Sequence, residues 1–193
     1  IHFARSLADR LHAKVRCHER FGTATLTLPD QLRVDIATAR TEFYERPAAL
    51  PRVSPGSIRD DMARRDFTIN ALAASLMPAE FGRLLDDFGG LRDLRETHIR
   101  ALHERSFIDD PTRIFRAVRF EKRLDFRIVR PTEQWIVEAL SRSLLEELED
   151  YRIATELRLI LEEPDPAGPL SGCALYDFGD MVRTATSPAP EDE

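Results

Sequence analysis

Asp109-Asp110-Pro111-Thr112-Arg113-Ile114-Phe115-Arg116-Ala117-Val118-Arg119-Phe120 opens the helical part of the chain. Asp110 before Pro111 is a helix start, an N-cap acid followed by proline at the first helical position. Downstream, the apolar spacing predicts helices over about 111–125, 131–141 and 146–163. The 193 residues therefore divide into a small mixed unit, 1 to about 100, and a helical unit from about 108 to 163. Arg113 lies within one turn of both acids. Capping plus a local ion pair of about 0.3–0.5 kcal/mol is one account of the motif. The other is chemical: an aspartate and an arginine held together make an acceptor–donor edge. The carboxylate accepts the exocyclic amine of cytosine or adenine, and the guanidinium donates to a ring nitrogen or carbonyl beside it. Uracil and guanine present the opposite pattern and leave buried groups unpaired at about 1–3 kcal/mol each. Arg116, Arg119 and Arg123 extend the motif as a basic stripe able to meet phosphates, or as a solvated helix face.

Working back from this stretch, 3–13 reads as an amphipathic helix with Phe3, Leu7 and Leu11 on one face. Segments 15–18, 23–28 and 32–38 read as three short strands, with Pro29-Asp30 as the turn between the last two. In the third, Val34 and Ile36 share one face and Asp35 points to the other. Asp35 is then either a solvent-facing position or a metal-site carboxylate or base. Pro47, Pro51, Pro55 and Gly56 make 43–57 a mobile loop by expectation. Ser57 caps the next helix with Asp60 three residues on, and that helix is expected to carry Met62, Phe67, Ile69, Leu72 and Leu76. On it Asp66 and Asn70 share a face, beside Arg64 and Arg65. These groups suit a ribose hydroxyl and phosphate oxygens, or form an ordinary exposed face.

Composition narrows the class. The chain holds 28 Lys and Arg against 34 Asp and Glu, a formal charge of −6, the wrong sign for a protein coated in nucleic acid. The distribution is uneven: residues 100–130 carry a net +4 and residues 141–165 a net −5, so a basic stretch can attract phosphates within an acidic protein. Two cysteines, Cys17 and Cys173, are too few for a disulfide framework, which points to a reducing cytoplasm. No apolar run approaches the roughly 20 residues of a membrane span.

Taken together, the motifs resemble the class II tRNA nucleotidyltransferase and bacterial poly(A) polymerase family of the polymerase-β-like superfamily. Arg64-Arg65-Asp66-Phe67-Thr68-Ile69-Asn70-Ala71 is similar to its ribose-recognising block. Asp86-Asp87-Phe88-Gly89-Gly90-Leu91-Arg92-Asp93-Leu94 is similar to its head–neck hinge, with Gly89 and Gly90 at the pivot. Asp109-Asp110-Pro111-Thr112-Arg113 resembles its protein template for CTP or ATP, with Asp109 where the family more often has Glu. The segment 147–161, with Arg152 and Glu156, looks like the helix that buttresses the template, and Asp35 like the third catalytic carboxylate. The resemblance implies an α+β fold: a partial nucleotidyltransferase head with a mixed sheet and helices over 1–100, then an all-α neck over 101–165. It implies an enzyme that adds CMP and/or AMP to the tRNA 3′ end from CTP and ATP, with Mg2+ as cofactor. The nucleotide site would comprise Arg64, Arg65, Asp66, Asn70, Asp109, Asp110, Arg113, Arg116 and Arg119. Poly(A) polymerase, or a non-catalytic nucleotide- or RNA-binding fragment, is the alternative.

Two expectations concern the ends. The family's Asp-x-Asp metal motif would precede residue 1, so the chain alone is expected to show no appreciable catalysis. Residues 166–193 are expected to form an unrelated or disordered tail, of which 174–193 resembles a fragment of aminoglycoside-phosphotransferase-like kinases.

Overall fold

A computed structural model describes residues 1–19 and 22–176. They form two compact units: Ile1–Phe43 with Val53–Asp61, and Tyr44–Arg52 with the chain from Met62 onward. The α+β architecture expected from sequence is the one observed.

In the first unit, α1 (His2–Leu11) packs on an antiparallel sheet of β1 (Lys14–His18), β2 (Thr23–Thr27) and β3 (Arg33–Ala37), in that order. Alternation decides the faces. Ala24 and Leu26 point to the helix, where with Ala4 and Ala8 they form a small buried core flanked by Val34 and Ile36. The β2–β3 turn closes as its residues predict: the Asp30 carboxylate accepts the Leu32 N–H at 3.0 Å and Gln31 takes a φ of 69°. Segment 43–57 departs from expectation. β4 (Arg40–Phe43) and β5 (Arg52–Pro55) pair there into a two-stranded sheet. The prolines fall at its ends or between its strands, where no ladder hydrogen bond is lost.

The continuous helix expected beyond Ser57 is also wrong. α2 (Ile58–Ala63) starts on the anticipated box, with Asp60 Oδ2 accepting both the N–H and the hydroxyl of Ser57 at 2.8 and 2.7 Å. It then stops. The Asp66 carboxylate accepts the Phe67 N–H at 2.9 Å, a local bond that competes with the helical one. Phe67 turns extended, at φ −129° and ψ 152°, and bridges Ala101 before a short 3-10 turn, Thr68–Asn70.

The second unit continues with the hairpin β6 (Ala73–Ala74) and β7 (Leu84–Leu85), α3 (Gly90–Arg95), β8 (His98–Ile99), α4 (Ser106–Asp109) and α5 (Thr112–Leu124). β9 (Arg127–Ile128), α6 (Arg130–Ser141), α7 (Asp150–Leu161) and α8 (Ala167–Leu175) complete it, with β9 parallel to β8. Helix α5 is central and packs against α4, α7 and α8. Phe67, Phe107, Ile114, Phe115, Val118, Ile136 and Ile160 are fully buried in one core, each worth about 1.5–3 kcal/mol of burial for the larger side chains. The tail expectation fails for its first part. α8 seats Cys173 in this core, and a Cβ on Gly172 would stand 2.5 Å from Val118 Cγ1, so the glycine permits the close approach of α8 to α5. The apolar Leu170 and Cys173 drive that packing; the prolines around 164–169 end one helix and begin another. The kinase-like resemblance lies almost wholly outside the described residues.

Candidate functional site

The site is built where α5 meets the turn after α2. Arg113 is 6% exposed. Its guanidinium donates to Ser106 Oγ at 2.7 Å, to the Arg65 carbonyl at 3.3 Å and to the Arg64 carbonyl at 2.7 Å. Three of the five N–H groups of the guanidinium are thereby engaged, which leaves Nε–H and one Nη2–H. One turn later, Arg116 donates Nε–H and Nη2–H to Asp66 Oδ2 at 2.8 and 2.6 Å. Asp66 Oδ1 in turn accepts the Asn70 side-chain amide at 2.9 Å. Two motifs some fifty residues apart in sequence are thus one polar cluster. The helical spacing expected of Asp66 and Asn70 is absent, yet the two side chains touch.

Asp110 enters from the turn between α4 and α5. Its Oδ1 accepts the Thr112 N–H at 3.1 Å, the Thr112 hydroxyl at 2.6 Å and Arg152 Nη2 at 2.8 Å. Arg152, on α7, also donates to the Ala48 carbonyl at 2.6 Å. Oδ2 faces Arg113 Nε at 3.9 Å, beyond hydrogen-bond reach. The oxygens are therefore differentiated: one is fixed by three donors, the other is left at the edge beside the residual Arg113 donors. Asp109 sits apart in a 3.0 Å pair with Arg105.

The basic stripe is mostly consumed internally. Arg119 is 7% exposed, donates to Glu163 at 3.2 Å and stands 3.9 Å from Glu156. With Arg116 it flanks the Phe120 ring, at 5.2 and 5.3 Å from the centroid. Arg119 Nε and Glu156 Oε2 are both buried without a hydrogen bond. These environments push carboxyls in opposite directions. For Asp66, burial acts upward, but the Arg116 charge and the bonds from Asn70, Arg116 and the Phe67 N–H outweigh it and hold the carboxyl below the usual range. For Glu156, burial wins over Arg116 and Arg119, and the carboxyl is raised. Burial and the neighbouring Arg113 charge keep His103 low, hence neutral.

Sequence reasoning did not single out the support beneath Asn70. Asp93 is fully buried; it accepts Thr68 Oγ1 at 2.7 Å and Arg100 Nε at 2.9 Å. Asp86 caps α3 by accepting the Gly90 and Leu91 N–H groups at 2.7 and 3.0 Å. Gly90 lies so close to the Thr68 carbonyl that any Cβ would collide with its oxygen. Nothing local signals these long-range contacts, although Asp93 lies within the quoted Gly-Gly motif.

Two places bear on a divalent cation. Asp93, Glu96 and His98 converge, but the Asp93 carboxylate is already neutralised by Arg100, which also repels a cation. In the first unit, Asp35 is exposed, with Oδ1 accepting the Thr25 hydroxyl at 2.6 Å. It offers one hard carboxylate donor of the type magnesium takes. Among the described residues no helix is long and apolar enough to cross a membrane.

Residues 1–100 match the family described as the Poly A polymerase head domain. The chain is 48% identical over 179 residues to an A-adding tRNA nucleotidyltransferase of Geobacter sulfurreducens, covering 91% of this chain and 20% of that protein. It superposes on a CCA-adding enzyme in its apo form II with a TM-score of 0.89 at 45% identity, covering 98% of this chain and 45% of the other. On the Thermotoga maritima CCA-adding enzyme complexed with tRNA the TM-score is 0.80 at 43% identity, covering 98% and 42%. The chain thus spans between a fifth and a half of the length of these relatives.

Proposed function

Because the chain belongs to the poly(A) polymerase head domain family, we propose that it forms the nucleotide-selecting part of a tRNA nucleotidyltransferase, which adds CMP and/or AMP to a tRNA 3′ end from CTP and ATP. The observation that carries this reading is the split role of the Asp110 carboxylate, with Oδ1 tied by Thr112 and Arg152 and Oδ2 left beside Arg113. An acceptor fixed next to a donor is complementary to the amine edge of cytosine and adenine. Desolvation magnifies the penalty for the opposite pattern.

Asp66 and Asn70 take the ribose hydroxyls, Arg64 and Arg65 the phosphates, and Arg116 holds Asp66 in place. Arg119 and Asp109 complete the charge around the site. Asp35 contributes one carboxylate toward Mg2+, which when bound neutralises charge building on the transferring phosphoryl group. Gly89, at a φ of 75°, and Gly90 form the hinge between a CTP and an ATP state. The setting is the cytoplasm.

The similarity to an A-adding relative favours AMP addition; the name of the family itself keeps poly(A) synthesis as a second reading. Labelled nucleotide addition by the chain, supplied with a segment that carries the family's Asp-x-Asp metal motif, tests both. Extension of tRNA ending at CC by one AMP supports terminal A addition. Long A tracts on any RNA end support poly(A) synthesis, and no incorporation contradicts the proposal.

A further inference from the structure

The arginines of α5 are engaged within the protein, but a second set of cations is not. The strand register places Lys14 opposite Thr27 and Thr27 opposite Arg33; the next row is Arg16, Thr25 and Asp35, and the third is His18, Thr23 and Ala37. All nine residues lie on the sheet face turned away from α1, because Ala24, Leu26, Val34 and Ile36 occupy the other. Lys14, Arg16, His18 and Arg33 are exposed. Among the described residues none of the four side chains makes a hydrogen bond or ion pair. The one acid of the face, Asp35, lies midway along the edge strand β3, where its Oδ1 accepts the Thr25 hydroxyl at 2.6 Å.

We infer that this open sheet face is a docking surface for the phosphodiester backbone of single-stranded RNA. The inference rests on the tRNA-processing reading and names the surface that holds the RNA partner. Its first support is charge complementarity. Three permanent cations share one face of a protein whose formal charge is −6. Their separation, about 7 Å between alternate residues of one strand and about 10 Å across two strand spacings, is near the Debye length of roughly 8 Å at physiological ionic strength. With Asp35 the one acid among the nine residues, the face keeps a net positive charge that an extended polyanion lying across it neutralises.

The second support is layout. Lys14, Arg16 and His18 form a line along β1, with Arg33 across the sheet. A line of donors follows an extended chain of phosphates, whereas a single triphosphate calls for donors converging on one point. Threonine hydroxyls at 23 and 27 lie between the charged rows and can donate to the same oxygens. The face reads backbone, not base, because the nine residues include no Phe, Tyr or Trp for stacking and only the one imidazole of His18.

The test measures binding of the full 193-residue chain to an end-labelled single-stranded RNA by fluorescence anisotropy, at several salt concentrations. Replacing Lys14→Gln, Arg16→Gln and Arg33→Gln together is expected to weaken binding at least tenfold at low salt. It should also lower the slope of log affinity against log salt by about 2, at roughly 0.7 per phosphate contact. The charge-keeping set Lys14→Arg, Arg16→Lys and Arg33→Lys is expected to bind like the parent. Should the glutamine set fail to fold, Arg33→Gln alone is expected to lower the slope by about 0.7. An unchanged slope in the folded variants overturns the inference. So does competition by polyglutamate as effective as by RNA, which would make the face a general acidic-partner surface. Nucleotide titration of the same proteins separates the two readings. Loss of RNA binding with CTP affinity intact bears on this face; absent nucleotide selectivity bears on the Asp110 site.

Discussion

Arg116 places two donors on a single oxygen of Asp66, at 2.8 and 2.6 Å, across fifty residues of sequence. This contact ties the middle of α5 to the turn that carries Asn70. Asp66 is 7% exposed, so removing its charge leaves a guanidinium short of its partner in a poorly solvated place. Asp66→Asn is expected to cost about 2 kcal/mol in urea unfolding, less than a fully buried pair because Arg116 retains some solvent. The pH dependence has a definite sign. The folded carboxyl lies below its unfolded value, so its contribution is present above about pH 4 and is lost as the pH falls through the folded value. The difference between parent and variant should therefore shrink in acid. A difference unchanged down to pH 2 would contradict this account.

Glu156 runs the other way. Its folded carboxyl is raised by burial, so it favours folding most when protonated. Relative to Glu156→Gln, the parent is expected to gain stability as the pH falls from 7 toward 4. Urea midpoints at both pH values check this; a parent that loses ground to the variant in acid would show that Arg119 dominates instead.

Gly90 is required by space, since a Cβ there meets the Thr68 carbonyl. Gly90→Ala is expected to cost about 3 kcal/mol. Gly82 has open space around it and a φ of 80°, so Gly82→Ala should cost only about 1 kcal/mol of backbone strain. Equal costs would mean that the contact between α3 and the Thr68–Asn70 turn is not rigid.

Periodicity is a local signal, and it was reliable where packing follows local pattern. α1, the three strands and α5–α7 lie where alternation and 3.6-residue spacing place them. It failed at 64–76, where the Asp66 side chain caps its own neighbour's N–H and long-range pairing pulls Phe67 into a bridge with Ala101. It failed again at 43–57 and 167–175, because proline density was read as disorder where it marks the ends of elements. The chemical motifs were legible through their resemblance to a known family, because spacing alone left each of them a purely structural account. Arg152 was legible too, as a buttress of the template, and it meets Asp110; Ser106 and Asp93 were not, because they reach the site only through tertiary contact. The free cations of the sheet face were hidden for the same reason. Charge counted along the sequence pointed to 100–130, whereas strand register gathers Lys14, Arg16 and Arg33.

The central claim is that the Asp110 edge selects the base, and Asp110→Asn tests it most directly. The amide keeps an oxygen for Thr112 and Arg152 and replaces the open acceptor by a donor. Calorimetric titration of parent and variant with CTP, ATP, UTP and GTP is the measurement. The account predicts that the parent prefers CTP and ATP, and that the variant loses about 1–3 kcal/mol for these two, roughly fivefold to 150-fold, with UTP and GTP gaining. Equal affinities for all four in both proteins would contradict it.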